Sequence, residues 1–261
     1  RDRGVYMIDD AAQAMHAELH GRRAGTFGDV GLYSFDKGKN ITSLQGGAIV
    51  TRDDAIADAL TDTLDTLPAE SPMATAASFI KLGIYAVLLH PSLYWIPAGI
   101  PALGLGRTVY TTDIPMHRMS ALAAGLVGRL FADIDAITSR RVDAAQRTLQ
   151  AISGNRLLAP ITPIASSRPV YLRLPCLVSD SRMRSSMLDS LTRSGIGATA
   201  SFPRALCDLD DIAGHIRVDG GFRDGARSVA DHIVTLPTLA YLHDKDIRRL
   251  SRCLESLKTA S

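Results

Sequence analysis

The sequence predicts an α/β protein with an open sheet, followed by a smaller C-terminal α+β domain. Two short apolar runs, Val5–Ile8 and the run from Gly31 that breaks at Asp36, end in polar loops and are typical of strands. Apolar residues recur at three- and four-residue steps from residue 112 toward 152, which predicts a long helix, broken once at most. Beyond Asn155 short alternating units predict the second domain.

The elements around the first two strands follow from turn residues and caps. Residues 14–30 contain three spaced glycines and are predicted to link elements without packing. Thr51, followed three residues later by Asp54, predicts an N-capped amphipathic helix that ends before Pro68. Residues 66–78 are rich in Pro, Ser, Thr and Ala and are predicted to form a connector.

Two lysines lie in the glycine-containing loop that follows the second strand. In an open α/β sheet the loops at the carboxyl ends of strands form the ligand crevice, so Lys37 or Lys39 is a candidate nucleophile. Asp10 follows the first apolar run, 29 positions before Lys39, and both can meet at one crevice. This pairing suggests pyridoxal phosphate chemistry, in which a lysine amine forms a Schiff base and a carboxylate partners the pyridinium nitrogen.

Four motifs occur in a characteristic order in the first fifty residues. They are Ile-Asp-Asp-Ala-Ala-Gln-Ala, Gly-Arg-Arg-Ala-Gly-Thr-Phe-Gly-Asp, Ser-Phe with Lys-Asn after three further residues, and Gly-Gly-Ala-Ile-Val-Thr. This order resembles the DegT/DnrJ/EryC1/StrS aminotransferases, pyridoxal-phosphate enzymes of nucleotide-sugar metabolism. The resemblance is dense from Val5 to Asp53 and returns more weakly in the C-terminal part of the chain.

The resemblance implies a role for five residues. Lys39 becomes the Schiff-base lysine, because it lies five residues after Ser34 and directly before Asn40. Asp10 pairs with the pyridine nitrogen, Gln13 packs beside the cofactor ring, Ser34 binds the cofactor phosphate, and Asn40 is counted with the cofactor-binding residues. Taken singly, such residues are more often a solvated lysine, a capping aspartate and a serine bonded to backbone.

The resemblance also implies fold type I of the pyridoxal-phosphate transferases, like aspartate aminotransferase. It predicts an incomplete large domain with a mainly parallel sheet and a small C-terminal α+β domain. Residues 1–65 would be the C-terminal part of the cofactor-binding large domain. Residues 66–111 would be an apolar, proline-containing insertion or connector, and residues 112–261 the long helix and the small domain.

Three features depart from the family pattern. Lys37 stands where the family usually has an uncharged residue, and residues 197–203 lack its small-domain aromatic/His motif. The family also carries a long upstream segment with a glycine/threonine turn that binds the cofactor phosphate. Because the chain begins at Arg1, close to a core strand, we expect either a fragment of a longer protein or a truncated gene product.

The C-terminal elements are predicted from alternation and capping. Val170–Leu174 alternates apolar and polar residues, as a strand with one buried face does. Residues 181–194 are predicted to form a helix closed by Gly195. Val234–Pro237 resembles the family's closing strand, and an amphipathic helix is predicted from Asp244 to Leu257.

Residues 79–105 are unusually apolar, with Lys81 as their single charge. Three prolines at 91, 97 and 101 argue against one straight spanning helix. In one interpretation the segment is an insertion that packs on the large domain or on a dimer interface. In the other it is an interfacial helix pair whose tyrosines and tryptophan favour the headgroup region of a membrane.

Composition excludes several classes of function. The chain has 261 residues, 46% hydrophobic and 21% charged, which is ordinary globular usage for one large or two modest domains. A formal charge of +2 with both signs interspersed argues against nucleic acid as a partner. The three cysteines lack zinc-binding spacing and are predicted to be buried, reduced thiols of a cytoplasmic protein, with no metal site.

The expected function is transfer of an amino group from an amino-acid donor to a keto sugar, usually nucleotide-linked in this family. By resemblance the protein is expected to be a cytoplasmic homodimer. Two alternatives stay open: a non-catalytic or truncated member of the same fold, and a membrane-associated scaffold in polysaccharide assembly that uses residues 79–105.

Overall fold

The computed structural model describes residues 3–88, 116–202, 204–209, 223–239 and 242–259. These residues fall into two compact units. The first contains the described residues up to 142 together with 163–172, and the second contains 143–162 and the described residues from 173 onward. The predicted boundary at residue 111 lies outside the described residues, and the predicted domain division stays a prediction.

The strands and helices follow one another in a mixed α/β order. They are β1 (Ile8–Asp10), β2 (Glu18–Leu19), β3 (Arg22–Arg23), β4 (Val30–Ser34), β5 (Gly47–Thr51), α1 (Asp54–Thr66), α2 (Pro72–Leu88), α3 (Ala121–Phe131), α4 (Ile134–Ile152), β6 (Leu158–Pro160), β7 (Ser167–Arg168), β8 (Arg173–Val178), α5 (Arg184–Arg193), α6 (Arg223–His232), β9 (Ile233–Pro237) and α7 (Asp244–Thr259).

A three-stranded sheet in the order β1–β4–β5 carries the predicted site residues. β1 pairs parallel to β4, with Asp10 opposite Leu32, and β4 pairs antiparallel to β5, with Leu32 opposite Ile49. The strand predicted at 5–8 therefore begins only at Ile8, and Asp10 lies within it. Among the described strands of this sheet, β1 and β4 form the parallel pair and β4 and β5 form the antiparallel pair.

One face of this sheet packs on a core and the other is open. Tyr33 and Ala48, which pair across β4 and β5, pack against the buried residues Met15, Phe35, Ile41 and Ile134. On the opposite face Leu32 is 37% exposed and Ile49 is 49% exposed. We call this second side, which carries Asp10, Leu32 and Ile49, the open face.

Residues 14–30 are more ordered than the sequence predicted. β2 and β3 form a short antiparallel hairpin, and β2 also pairs with β7. A Cβ on Gly31 would overlap the backbone carbonyl of Gly25, so the segment can lie against the sheet only because this position is glycine. The prediction of an unpacked linker was therefore wrong, since spacing alone cannot show which backbone a glycine approaches.

The helix predicted to begin near Thr51 is confirmed, but Asp53 caps it instead of Thr51. The Asp53 carboxylate accepts hydrogen bonds from the backbone N–H groups of Ala55 (3.0 Å) and Ile56 (3.1 Å). The Thr51 hydroxyl donates instead to the Asp29 carbonyl at 2.8 Å. The helix ends at Thr66, before Pro68 as predicted.

The prediction of a connector over residues 66–78 was wrong beyond Ser71, because α2 begins at Pro72. Proline is well tolerated in the first turn of a helix, where its missing N–H would have no intrahelical acceptor. Four apolar side chains of α2 are exposed and lie on one side of the helix: Met73, Ile80, Ile84 and Val87. We call this set the α2 stripe. Residues 89–105 of the predicted apolar segment lie outside the described residues.

None of the described helices combines the length and the apolarity needed to cross a bilayer.

The long helix predicted to run toward Ile152 is broken once, at residues 132–133, between α3 and α4. It begins at Ala121, later than predicted, where the Ser120 hydroxyl accepts a hydrogen bond from the Ala123 N–H at 3.3 Å. A serine N-cap of this kind satisfies one of the free N–H groups of the first turn.

The second unit contains an antiparallel sheet in the order β6–β8–β9. β8 buries Leu174, Cys176 and Val178 on alternate positions. The predicted strand at 170–174 was placed too early, because Tyr171 adopts a left-handed φ of 47° that interrupts an extended chain. The other predicted elements are confirmed: the helix closed by Gly195, the strand at 234–237 and the final helix.

The three cysteines form no disulfide. Cys176 and Cys253 are buried as predicted, whereas Cys207 is only half-buried. Burial raises the pKa of the Cys176 thiol to about 12, so this thiol stays protonated and inert at neutral pH.

Candidate active site

Asp9 and Asp10 end β1 and have different surroundings. The Asp9 carboxylate accepts hydrogen bonds from the backbone N–H groups of Gly25 (2.7 Å) and Phe27 (2.9 Å). The exposed Asp10 carboxylate accepts one local bond, from the Ala12 N–H at 3.0 Å, and has no ion-pair partner among the described residues. Because successive strand residues point to opposite faces, Asp10 is directed to the open face and Asp9 to the packed one.

Tyr33 lies on the packed face with Asp9. Its hydroxyl donates a hydrogen bond to the Ala24 carbonyl at 2.7 Å. Burial, followed by the nearby Asp9 carboxylate, raises the pKa of the Tyr33 phenol, since both disfavour the phenolate. Asp9 and Tyr33 therefore hold residues 24–27 against the sheet. Asp10 takes no part in these contacts, so its carboxylate is available to a ligand.

Ser34 lies on the same side of the sheet as Asp10. Asp10 pairs with Leu32 in the parallel register, and Ser34 is two residues beyond Leu32 along β4. Residues two apart on a strand share a face and are separated by roughly 7 Å. The Ser34 hydroxyl accepts a hydrogen bond from the Asp36 N–H at 3.3 Å. A carboxylate and a hydroxyl thus occur together at the carboxyl ends of two parallel strands.

Lys39 ends a tight turn directly after β4. The Lys39 N–H donates to the Asp36 carbonyl at 3.3 Å, and Gly38 in the turn has a φ of +79°. Glycine tolerates this left-handed conformation, which most side chains disfavour. Lys39 is half-buried and Lys37 is exposed. Neither amine has an ion-pair partner in the parts of the chain that the structure describes.

Asn40 joins the Lys39 loop to the segment that follows Asp10. Its buried side-chain amide donates to the Met15 carbonyl at 2.9 Å, and its Oδ1 has no partner among the described residues. Gln13 lies exposed in the same series of turns as Met15. The structure therefore brings the Gln13 and Lys39 segments together, while the assignment of Asn40 to the cofactor stays a prediction.

A second polar cluster, absent from the sequence-based prediction, surrounds Glu70 ahead of α2. Its Oε1 accepts from Gln45 (3.0 Å) and Ser78 (3.3 Å), and its Oε2 accepts from Thr75 (2.9 Å). Burial alone would raise the pKa of Glu70, but these hydrogen bonds outweigh it and the pKa is lowered. The cluster attaches the loop before β5 to α2.

Arg141 of α4 is the other contributor that sequence reasoning missed. Its guanidinium donates to the carbonyls of Lys39 (3.4 Å) and Leu172 (3.2 Å). In sequence it is one of several arginines on an amphipathic helix, so no local pattern distinguishes it. Its contacts join residues 102 and 31 positions apart, which only the tertiary structure provides.

Comparison with known proteins places these motifs in a family. Residues 1–70 and 107–255 match the model of the DegT/DnrJ/EryC1/StrS aminotransferase family. GDP-perosamine synthase of Vibrio cholerae is 44% identical over 57 residues, which is 22% of this chain and 16% of that protein. L-glutamine:2-deoxy-scyllo-inosose aminotransferase of Streptomyces kanamyceticus is 46% identical over 54 residues, 21% of this chain and 13% of that protein.

Solved structures of sugar aminotransferases share the fold. The aminotransferase TlmJ of Streptoalloteichus hindustanus superposes with a TM-score of 0.72 at 22% identity, over 100% of this chain and 61% of that one. DesV of S. venezuelae, solved with a ketimine intermediate, superposes with a TM-score of 0.71 at 20% identity, over 98% of this chain and 58% of that one. The chain thus spans about three fifths of these structures and a smaller share of the curated relatives. The chain belongs to the DegT/DnrJ/EryC1/StrS aminotransferase family.

Proposed function

We propose that the protein is a pyridoxal 5′-phosphate-dependent aminotransferase that moves an amino group from an amino-acid donor to a keto sugar, which is nucleotide-linked. The observation that carries the proposal is the position of Asp10 and Ser34 on the open face, next to a loop that presents Lys39. The names of the two relatives, GDP-perosamine synthase and L-glutamine:2-deoxy-scyllo-inosose aminotransferase, support a sugar-like substrate. Cell-surface polysaccharide or secondary-metabolite biosynthesis is the setting we propose.

The side chains present fit this cofactor. The exposed Asp10 carboxylate has capacity left for a ring N–H, because it accepts a single local hydrogen bond. The Ser34 hydroxyl can donate to a phosphate oxygen while it accepts from Asp36. The Lys39 amine, which has no ion pair among the described residues, is available for a covalent bond to an aldehyde.

The residue roles follow from this donor set. Pyridoxal phosphate, when bound, supplies an aldehyde for amine exchange and a ring that withdraws electrons. With the cofactor bound, Asp10 would hold a proton on the ring nitrogen, and Gln13 would pack beside the ring. The Nζ of Lys39 would move a proton from the amine-bearing carbon of the donor to the cofactor carbon in the first half-reaction, and from the cofactor carbon to the sugar carbon in the second. Ser34 orients the phosphate end.

Borohydride reduction and peptide mapping of the full-length protein test the assignment of Lys39. We expect a reduced cofactor adduct on the Lys39 peptide in the wild type and in Lys37→Ala, and its loss in Lys39→Ala. Lys37→Ala is the matched control, because it removes the same charge two residues away. An adduct on Lys37, or on neither lysine, would contradict the proposed mechanism.

We further propose a cytoplasmic homodimer, as the resemblance implies. A membrane-associated role in polysaccharide assembly is the second candidate. It is favoured by the exposed α2 stripe, which could contact a lipid surface without spanning it.

A further inference from the structure

Arg141 places a partly buried positive charge beside the backbone of Lys39. Its guanidinium donates to the Lys39 carbonyl at 3.4 Å and to the Leu172 carbonyl at 3.2 Å. Burial lowers the pKa of Arg141, and nearby Tyr85 opposes this effect. In the described part of the chain no carboxylate lies within ion-pair distance of Arg141. The charge is therefore directed at carbonyl oxygens, and one of them belongs to the candidate nucleophile.

The Lys39 backbone is held from two sides. Within the loop, its N–H donates to the Asp36 carbonyl at 3.3 Å, and the following residue, Asn40, is fixed to the Met15 carbonyl at 2.9 Å. From α4, Arg141 reaches the carbonyl of Lys39 itself. The turn contains Gly38, and glycine restricts the backbone least. Arg141 thus adds a contact from outside the loop that further limits the position of the Lys39 carbonyl.

We propose that Arg141 is a positioning residue that fixes the Lys39 backbone so that its amine stays at the cofactor site. This inference rests on the proposed function for its consequence in catalysis. Only a planar guanidinium presents several fixed N–H donors, so it can bridge two carbonyls in different segments. Displacement of a reacting group by about 1 Å costs roughly 100-fold in rate, so small shifts of this loop matter.

The neighbouring Arg140 provides a matched control. It carries the same side chain on the same helix but is exposed. Since adjacent helical residues do not face the same way, Arg140 cannot replace Arg141 at the loop.

The experiment uses full-length protein with Arg141→Met, Arg141→Lys and Arg140→Met. Without added cofactor, hydrogen–deuterium exchange of peptides covering residues 36–44 should accelerate at least tenfold in Arg141→Met and less in Arg141→Lys. Arg140→Met should match the wild type. Peptides from the central strand β4, Val30–Ser34, which lies in the same compact unit as Lys39 and Arg141, should be unchanged, which separates loop release from destabilisation of that unit. With pyridoxal phosphate added, borohydride trapping on Lys39 should slow at least tenfold in Arg141→Met, with partial recovery in Arg141→Lys.

Unchanged exchange and trapping in Arg141→Met would overturn the inference, as would equal acceleration in every peptide. If the wild type forms no adduct on Lys39 while Arg141→Met still releases the loop selectively, the proposed function fails and the positioning contact stands. If the wild type forms the adduct on Lys39 and Arg141→Met changes neither exchange nor trapping, the proposed function stands and the positioning inference fails.

Discussion

Asp9 and Asp10 at the end of β1 have different roles, because the side chains of successive strand residues point to opposite faces of the sheet. Asp9 accepts two backbone N–H groups and fixes residues 25–27 to the sheet. Asp10 accepts one bond within its own turn and remains exposed. The first is a structural residue and the second is available for chemistry.

The two aspartates predict that substitution of Asp10 lowers activity but not stability, and that substitution of Asp9 lowers stability. Asp10→Asn should leave the urea midpoint nearly unchanged but reduce turnover roughly 100-fold or more, because a neutral amide cannot hold a ring nitrogen protonated. Asp9→Asn should lower the free energy of unfolding by about 1–3 kcal/mol, because an amide has one acceptor oxygen for two N–H groups. Near-normal turnover in Asp10→Asn would show that Asp10 only caps the turn.

At the scale of elements, Glu70 joins the loop before β5 to the first turns of α2. One carboxylate accepts hydrogen bonds from Gln45 in the loop and from Thr75 and Ser78 in α2, so the contact between these two segments depends on its ionised form. This contact orients the chain that leaves the Lys39 loop. Sequence reasoning assigned the region to a connector, since neither a cap nor a periodic pattern marks Glu70.

The lowered pKa of Glu70 predicts a pH-dependent contribution to stability. Its folded-state pKa lies below the ordinary value of 4.5, so its stabilising effect is present above pH 4.5 and is lost as the pH falls through the lowered pKa. Glu70→Gln should therefore be less stable than the wild type at pH 7 by at most about 0.5–1 kcal/mol, because water screens this partly exposed carboxylate. The difference should vanish in more acidic buffer.

Urea denaturation across this pH range measures the effect, and the exposed Glu255 supplies the control. Glu255→Gln should follow the wild type at every pH. A constant difference between Glu70→Gln and the wild type would mean that the carboxylate charge contributes nothing.

At the scale of the whole molecule, two of the surfaces formed by described residues carry exposed apolar side chains. The open face exposes Leu32 and Ile49, and α2 exposes its stripe. Contiguous apolar surface of this kind usually marks an interaction site. The leucine, isoleucine, valine and methionine side chains on these surfaces are of types that protein cores usually contain.

We expect the α2 stripe to be covered within a homodimer. Ile80→Asn combined with Ile84→Asn should raise the dimer dissociation constant at least 100-fold, because burial of each isoleucine contributes about 1.5–3 kcal/mol. Analytical ultracentrifugation measures this change. Ile164→Asn is the control, since Ile164 is also exposed but lies outside α2.

Flotation with anionic liposomes distinguishes a dimer interface from a membrane contact at the α2 stripe. Wild-type protein that floats, while the double variant does not, would favour the membrane contact over the dimer. An unchanged dimer in the double variant, with no flotation of either protein, would exclude both.

Local order and spacing in the sequence are enough to identify the family, the α/β class and the candidate residues Asp10, Gln13, Ser34 and Lys39. The sequence also predicted most helices, whose caps and periodicity are local signals. The folded chain was needed to show that Asp9 holds residues 25–27 to the sheet, that residues 14–30 pack on the sheet, and that Glu70 and Arg141 bond to Gln45 and Lys39. The bonds of Asp9 to Gly25, of Glu70 to Gln45 and of Arg141 to Lys39 join residues 16, 25 and 102 positions apart. Composition and periodicity carry no record of such distances.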